Sequence, residues 1–387
     1  MVDAYDPPLD AEKLEEYRGS KNWEGLIPDV GESRTWDEGF RKFLVKYGMI
    51  NHIVYDVYIK NTGDGKDEDG LSGTSRFGAD FDRFTKKGLQ FNYLNRDRER
   101  KVEYDYTEEY HVIGNMVCSP RSFYMGEDNW FGFIMLSNDL KELVIVFRGT
   151  QTIREWVENA TCTLAQLDGE PGESGCELFW NRQNFMIHVG FQSMYIEESY
   201  SGVESPKATV RRLVEEHKST IEKVTVVGHS LGGALCQLCA VDLARSEVLG
   251  EVPILCIAWG APKIGNRFTA KWAESQHPRL RNLRIRGSND VVAMLPPNWL
   301  WNFVNGGYQH FGKEIILCNE HLRKGGLVMN EGLGPNHNLE MYLYNIDPTR
   351  DLALLNKVGS CIPEEYCDKH NISSNWHSLT WPRTIFD

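Results

Sequence analysis

No run of about 18 consecutive apolar residues occurs in this 387-residue chain, so no helix is expected to span a membrane. Positive charge is in short supply: 42 Lys and Arg against 55 Asp and Glu leave a formal net charge of −13. That balance excludes nucleic acid as an expected partner and argues against electrostatic capture by anionic membranes. A lipid substrate would have to be met through apolar contact. The first ten residues have neither the basic region and apolar core of a secretory signal nor the Arg- and Ser-rich character of a transit peptide, so a cytosolic location is the expectation. In that setting the nine cysteines, an odd number, are expected as free thiols. Cys236 and Cys239 read as small core residues, and Cys361 and Cys367 would pair only in an oxidising compartment. The Asp-rich segment 61–70 lacks the ligand register of a calcium loop and the glutamate at its twelfth position. Neither a metal nor an organic cofactor is expected.

What the chain does carry, at 223–238, is a strand, a glycine-tight turn and a helix in direct succession. Val224, Val226 and Val227 supply the β-branched run of an internal parallel strand, and Leu231, Leu235, Leu238 and Val241 follow at helical spacing. Ser230 sits at the turn between them. Gly228 and Gly232 flank it at two residues on either side, where a Cβ would collide as strand and helix close around a strained nucleophile. Such a turn lifts the serine Oγ over the sheet edge, and it sets the Leu231 N–H and the helix N-terminus beside any oxyanion formed there. His229 points the other way on this turn and is not a candidate base.

Upstream, a short helical patch near residues 11–17 precedes a capping-box-like Thr-Trp-Asp-Glu at 35–38. Phe40, Phe43, Leu44, Tyr47, Ile50 and Val54 then recur at helical spacing, which predicts a long amphipathic helix packed on the domain. Residues 130–136 and 142–147, joined by a polar turn, predict an antiparallel hairpin leading into the main sheet. Its second strand ends in Arg148-Gly-Thr150, where Thr150 offers a second oxyanion donor and Gly149 allows close backbone approach. Ile153, Trp156 and Val157 fall on a helix-prone segment able to cover a site as a lid, with the Gly-rich loop 169–175 as its lower edge. Residues 187–191 open a helical region, 207–222 read as a helix, and 252–259 and 283–286 as further strands. Strands alternating with helices argue for a mostly parallel, doubly wound central sheet with helices on both faces, and with Ser230 at a strand's carboxyl end the expected fold is that of an α/β hydrolase. The expected organisation is a helical extension over 1–90, the hydrolase domain over 91–350 and a C-terminal extension over 351–387.

A serine hydroxyl is a weak nucleophile that needs an imidazole to take its proton and a carboxylate to hold the imidazole. In this fold class they follow in the order Ser, acid, His. Asp290 lies just past the strand at 283–286, whereas Asp242 falls inside the nucleophile helix as an expected solvent-facing residue, and Asp347 and Asp351 come too late. The histidines after Asp290 are His310, His321, His337, His370 and His377. His310 sits in an expected strand over 308–317. Position favours His337, which follows the loop 332–336 and opens a helical run where an imidazole can reach over the sheet edge.

Taken together, these motifs resemble the class 3 lipase family. The matching features are Phe-Arg-Gly-Thr at 147–150, His-Val-Gly-Phe at 188–191, Gly-His-Ser-Leu-Gly at 228–232, Gly-Ala-Pro-Lys-Ile-Gly-Asn at 260–266, Asn-Asp-Val at 289–291, the spacing of His310, Gly312 and Glu314, and His-Asn-Leu at 337–339. Residues 19–26, 130–133 and 351–357 look like the cytosolic phospholipase A1 group of plants. The stretches 325–334 and beyond Cys361 depart from that pattern. The resemblance implies Ser230, Asp290 and His337 as a catalytic triad and Thr150 with Leu231 as the oxyanion hole. It implies hydrolysis of glycerolipid esters at sn-1, with transient contact to a membrane or lipid aggregate. Two other readings stand beside it: an esterase or acyltransferase acting on a soluble metabolite, and a catalytically idle scaffold that binds protein.

Overall fold

A computed structural model describes residues 11–19, 23, 26, 37–62, 90–94, 100–106, 109–118, 129–137, 141–149, 164–166, 185–198, 202–246, 248–288, 290–297, 307–317 and 337–346. In chain order these form α1 (Ala11–Gly19), α2 (Glu38–Thr62), β1 (Gln90–Leu94), β2 (Arg100–Asp105), β3 (Tyr110–Cys118), β4 (Asn129–Ser137), β5 (Glu142–Phe147), β6 (Leu164–Gln166) and β7 (Met186–His188). There follow α3 (Val189–Ile196), α4 (Pro206–His217), β8 (Lys223–His229), α5 (Leu231–Arg245), β9 (Ile254–Trp259), β10 (Gly265–Asn266), α6 (Arg267–Ser275), β11 (Leu280–Gly287), β12 (Tyr308–Gln309), β13 (Lys313–Leu317) and α7 (Leu339–Ile346).

The central sheet has seven strands in the order β13-β11-β9-β8-β5-β4-β3. From β13 to β5 the neighbours pair in parallel, and the β5–β4 and β4–β3 pairs are antiparallel. The hairpin expected over 130–147 is therefore present, and it hands the chain from an antiparallel edge to a parallel interior. Every residue of β5, β8 and β9 is buried, which is why these strands read as apolar runs without alternation. Each face of the sheet packs its own core. One gathers residues of α3, α4, α5 and α6, including Met194, Val210, Leu235 and Ala270; the other gathers Leu14 and Tyr17 of α1, the apolar face of α2, and Tyr342 and Leu343 of α7. Helices thus cover both faces, as an α/β-hydrolase sheet requires. Among the described residues no helix is long and apolar enough to cross a membrane.

Several local expectations change. The cap of α2 is Asp37, whose Oδ1 accepts the Phe40 N–H at 2.8 Å, and Thr35 lies outside the described residues. Residues 186–188 form a short strand before α3 begins, in a small second sheet of order β12-β10-β7-β6. The single strand expected over 308–317 is two strands in different sheets. The break falls at Gly312, whose φ of +83° and closeness to Asn282 (an added Cβ would lie 2.3 Å from its carbonyl oxygen) exclude other residues. Asp242, expected to face solvent, is buried. It accepts from Arg211 at 2.8 Å and Tyr195 at 3.2 Å, because α5 is enclosed between the sheet and its neighbouring helices from Leu231 to Ala244.

The N-terminal helix is tied to the sheet by a buried ion pair. Arg18 of α1 donates to Glu142, the first residue of β5, at 2.6 Å, and also to the Thr225 hydroxyl and the Val224 carbonyl at the start of β8. Tyr47 and Tyr110 donate to the same carboxylate at 2.8 and 3.2 Å. Burial alone would raise the Glu142 pKa, but Arg18, then Thr225 and Tyr47, hold it below the usual carboxylate range. A depressed folded pKa stabilises the native state above the ordinary carboxylate range and loses that contribution as pH falls through the folded value. Glu142→Leu leaves Arg18 buried and unpaired and is expected to cost about 3–5 kcal/mol in denaturant unfolding, whereas Arg18→Met with Glu142→Leu costs far less than the two single changes summed.

Candidate active site

The turn after β8 has the strain that its sequence implied. Ser230 has φ +60° and ψ −126°, a conformation that side chains other than glycine's rarely adopt. It is held by its N–H to the Trp259 carbonyl at 2.9 Å and by its own carbonyl, which accepts the Ala234 N–H at 3.1 Å in the first turn of α5. A Cβ on Gly228 would lie 2.0 Å from the Gly232 oxygen, and one on Gly232 would lie 2.5 Å from the Phe147 oxygen. Strand, helix and β5 meet at distances that only hydrogen atoms can fill. Leu231 opens α5, so its N–H belongs to a helical first turn that has no intrahelical acceptor.

Asp290 and His337, 47 residues apart in sequence, are brought together by β11 and α7: His337 Nδ1 donates to Asp290 Oδ2 at 2.8 Å. Both are buried. The other carboxylate oxygen, Oδ1, accepts the Val292 N–H at 2.9 Å. With the proton on Nδ1, the imidazole lone pair of His337 lies on Nε2, which is buried and has no hydrogen-bond partner among the described residues. Tyr342, one turn into α7, adds a donor to Asp290 Oδ2 that sequence reasoning missed. Burial and the adjoining Asp290 raise its pKa well above the ordinary tyrosine value, so it remains an O–H donor. Its only sequence signal is its place five residues after His337, on a helix face that the triad order does not specify. Gly260 closes the cluster with φ +54°. A Cβ there would come 2.9 Å from Asp290 Oδ2 and 3.0 Å from both His337 Cε1 and Tyr342 Oη.

The segment after Asp290 is clamped from outside. Lys263 Nζ donates to the Met294 carbonyl and, at 2.8 Å, to that of Pro296, while the Lys263 N–H reaches Leu295 O at 2.8 Å. Burial, then Arg284, push the Lys263 pKa down to about 8. His310 Nε2 lies 2.7 Å from the Ala293 carbonyl. Burial followed by Arg284 lowers the His310 pKa well below the usual value, so the neutral ring donates from Nε2. The two histidines weighed from sequence therefore separate: His337 joins Asp290, and His310 braces the segment that follows it.

On the β5 side, Asn51 donates to the Phe147 carbonyl at 3.0 Å and Arg148 Nε donates to Trp130 O at 3.1 Å. A Cβ on Gly149 would lie 2.7 Å from His229 O and 3.1 Å from Ser230 Cβ, so this backbone passes directly against the nucleophile turn. Thr150 and the expected lid residues Ile153, Trp156 and Val157 lie outside the described residues.

Residues 144–299, from β5 through Asp290, match the family described as Lipase (class 3). Phospholipase A1-II 3 of Oryza sativa subsp. indica is 27% identical over 388 residues, spanning 90% of this chain and 85% of the relative. The chloroplastic phospholipase A(1) DAD1 of Arabidopsis thaliana is 26% identical over 368 residues, 86% of this chain and 75% of its own length. The triacylglyceride lipase of Rhizomucor miehei superposes with a TM-score of 0.40 and 28% identity over 55% of this chain and 69% of that structure. Residues 144–299 thus match the class 3 lipase family, within a longer sequence similar to the plant phospholipases A1.

Proposed function

We propose that this protein is a carboxylic ester hydrolase in which Ser230 is the nucleophile, His337 the general base and Asp290 the residue that orients it. The observation that carries the reading is the Asp290–His337 pair at 2.8 Å, with a buried Nε2 that has no partner among the described residues, at the same sheet edge as a strained serine. Asp290 accepts the Nδ1 proton, which fixes the tautomer and leaves Nε2 to take the Ser230 proton as Oγ attacks an ester carbonyl. The Leu231 N–H at the start of α5, with Thr150 as second donor, stabilises the tetrahedral oxyanion. His337 then protonates the departing alcohol, and water, activated by the same imidazole, releases the acid and regenerates Ser230.

The finer assignment is hydrolysis of glycerolipids at sn-1, as a phospholipase A1 acting at a lipid aggregate or membrane surface. Two points support it: the similarity to plant phospholipases A1 along most of the chain, and the exposed apolar side chains of Val291 and Met294 immediately after Asp290, which suit contact with an acyl chain or lipid surface. A cytosolic setting belongs to the same proposal. It accords with Cys118, Cys236, Cys239 and Cys256, which are buried free thiols.

Ser230→Ala is expected to lower kcat by about 10³-fold or more while leaving the unfolding midpoint near that of the parent; near-normal turnover would remove Ser230 from the mechanism. Gly260→Ala forces a methyl group against Asp290, His337 and Tyr342, and is expected to lower kcat by about 10-fold or more on a short-chain ester. Phosphatidylcholine, galactolipid and triacylglycerol carrying distinct sn-1 and sn-2 acyl chains, assayed side by side, test the finer reading. Release of the sn-1 acid from the polar lipids is expected, and release confined to soluble short-chain esters would overturn it.

A further inference from the structure

The mechanism above leaves two polar side chains at the site unused, the half-buried Tyr55 of α2 and the buried His229 beside the nucleophile. The Tyr55 hydroxyl lies 2.7 Å from His229 Nδ1 and 3.2 Å from the Gly149 nitrogen. On the far side of the ring, His229 Nε2 lies 2.7 Å from the backbone carbonyl of His337. The proton positions along this line are determined by chemistry. Burial, followed by the neighbouring His337, pushes the His229 pKa well below its ordinary value, so the ring is neutral and carries one N–H. A carbonyl can only accept, which assigns that proton to Nε2 and leaves Nδ1 as an acceptor. Tyr55 must then donate its O–H to Nδ1, and its oxygen accepts the Gly149 N–H. The result is one directed chain running from Gly149 N–H through Tyr55 Oη and the His229 ring to His337 C=O.

Its two ends are catalytically placed. Gly149 precedes Thr150, the proposed second oxyanion donor, and its backbone already presses on the Ser230 Cβ. His337 is the proposed base. The His229 ring also packs on the His337 ring, with centroids 4.8 Å apart, and sits 5.7 Å edge-on from the Tyr55 ring. α2 lies outside the residues matched to the lipase family, yet Asn51 and Tyr55, one helical turn apart, hold Phe147 O and Gly149 N–H on the strand end beside the nucleophile.

We propose that Tyr55 and His229 are positioning residues that lock the oxyanion-side backbone at Gly149 and the main chain of the base His337 into one register around Ser230. Neither exchanges a proton with substrate. Their work is to keep the Gly149 backbone and the main chain of His337 at a constant separation on either side of Ser230. This proposal rests on the roles given above to Ser230 and His337. Because the anchoring hydroxyl comes from a helix in the N-terminal part of the chain, it also makes that part a component of the active site.

The test is steady-state kinetics on a soluble short-chain ester for the full chain, with the rate of fluorophosphonate labelling and the thermal midpoint measured on the same preparations. Tyr55→Phe removes one oxygen and keeps the ring. It is expected to lower kcat and the labelling rate together by about 10- to 100-fold, with KM within about threefold and the midpoint close to that of the parent. His229→Gln, which keeps a side-chain N–H able to reach His337 O, is expected to retain more activity than His229→Phe, which keeps none. A Tyr55→Phe protein with kcat within about twofold of the parent would overturn the proposal, as would a loss of activity that merely follows a fallen midpoint. Ser230→Ala serves as the separate control: if it remains active, the triad reading fails, whereas an inactive Ser230→Ala beside a fully active Tyr55→Phe rejects the positioning chain alone.

Discussion

Everything at the active edge depends on how closely three pieces of backbone approach one another around Ser230. β8 must stop, reverse its sense and start α5 within a single residue, and the end of β5 must pass beside that reversal. The contacts that a Cβ would make at Gly228, Gly232 and Gly149, all under 3.0 Å to backbone atoms or to the Tyr55 hydroxyl, measure how little room is left. The strain at Ser230 is stored because the sheet and α5 are large, apolar and fully buried, so the cost of one poor backbone conformation is spread over a core that relaxes only by unfolding.

That rigid turn is surrounded by parts arriving from distant segments, each brought in by its own element. β11 ends at Gly287, whose carbonyl accepts the Asp290 N–H at 3.1 Å, and Lys263 and His310 hold the backbone that continues past Asp290. α7 supplies His337 at its start and Tyr342 one turn later, and both reach the same carboxylate oxygen. α2 supplies Asn51 and Tyr55. At the opposite end of the sheet the buried Arg18–Glu142 pair joins α1 to the first residues of β5 and β8. The helices of the N-terminal part therefore hold β5 and β8 at both ends, and they form part of the structure that keeps the Ser230 turn in place.

Much of this was legible before any coordinates. The β-branched run before Ser230, the two glycines and the helical leucines after it define a tight strand-turn-helix from local sterics alone, and the hairpin over 130–147 follows from its patterning and turn residues. The failures share one cause. Asp242 looked solvent-facing because a helix drawn in isolation always has a polar side; burial on that side is decided by α3 and α4, which its own sequence does not describe. The segment 308–317 looked like one strand because β-propensity runs through it, while the break at Gly312 is imposed by the backbone of Asn282. Tyr55 and His229 carried no signal as partners of the site, and Tyr342 only its place after His337, because their partners are remote in the chain, at separations of 52, 94, 108 and 174 residues.

By itself the sequence determined the elements whose cause is local: the alternation of strands and helices, the tight turn at Ser230, and the acidic charge balance. Only the tertiary structure decided which residues brace Asp290 and His337, and which ring nitrogens carry protons. Those outcomes depend on burial and on hydrogen-bond partners supplied by elements far apart in the chain, and a local pattern of residue types holds no information about which distant group will occupy the remaining space.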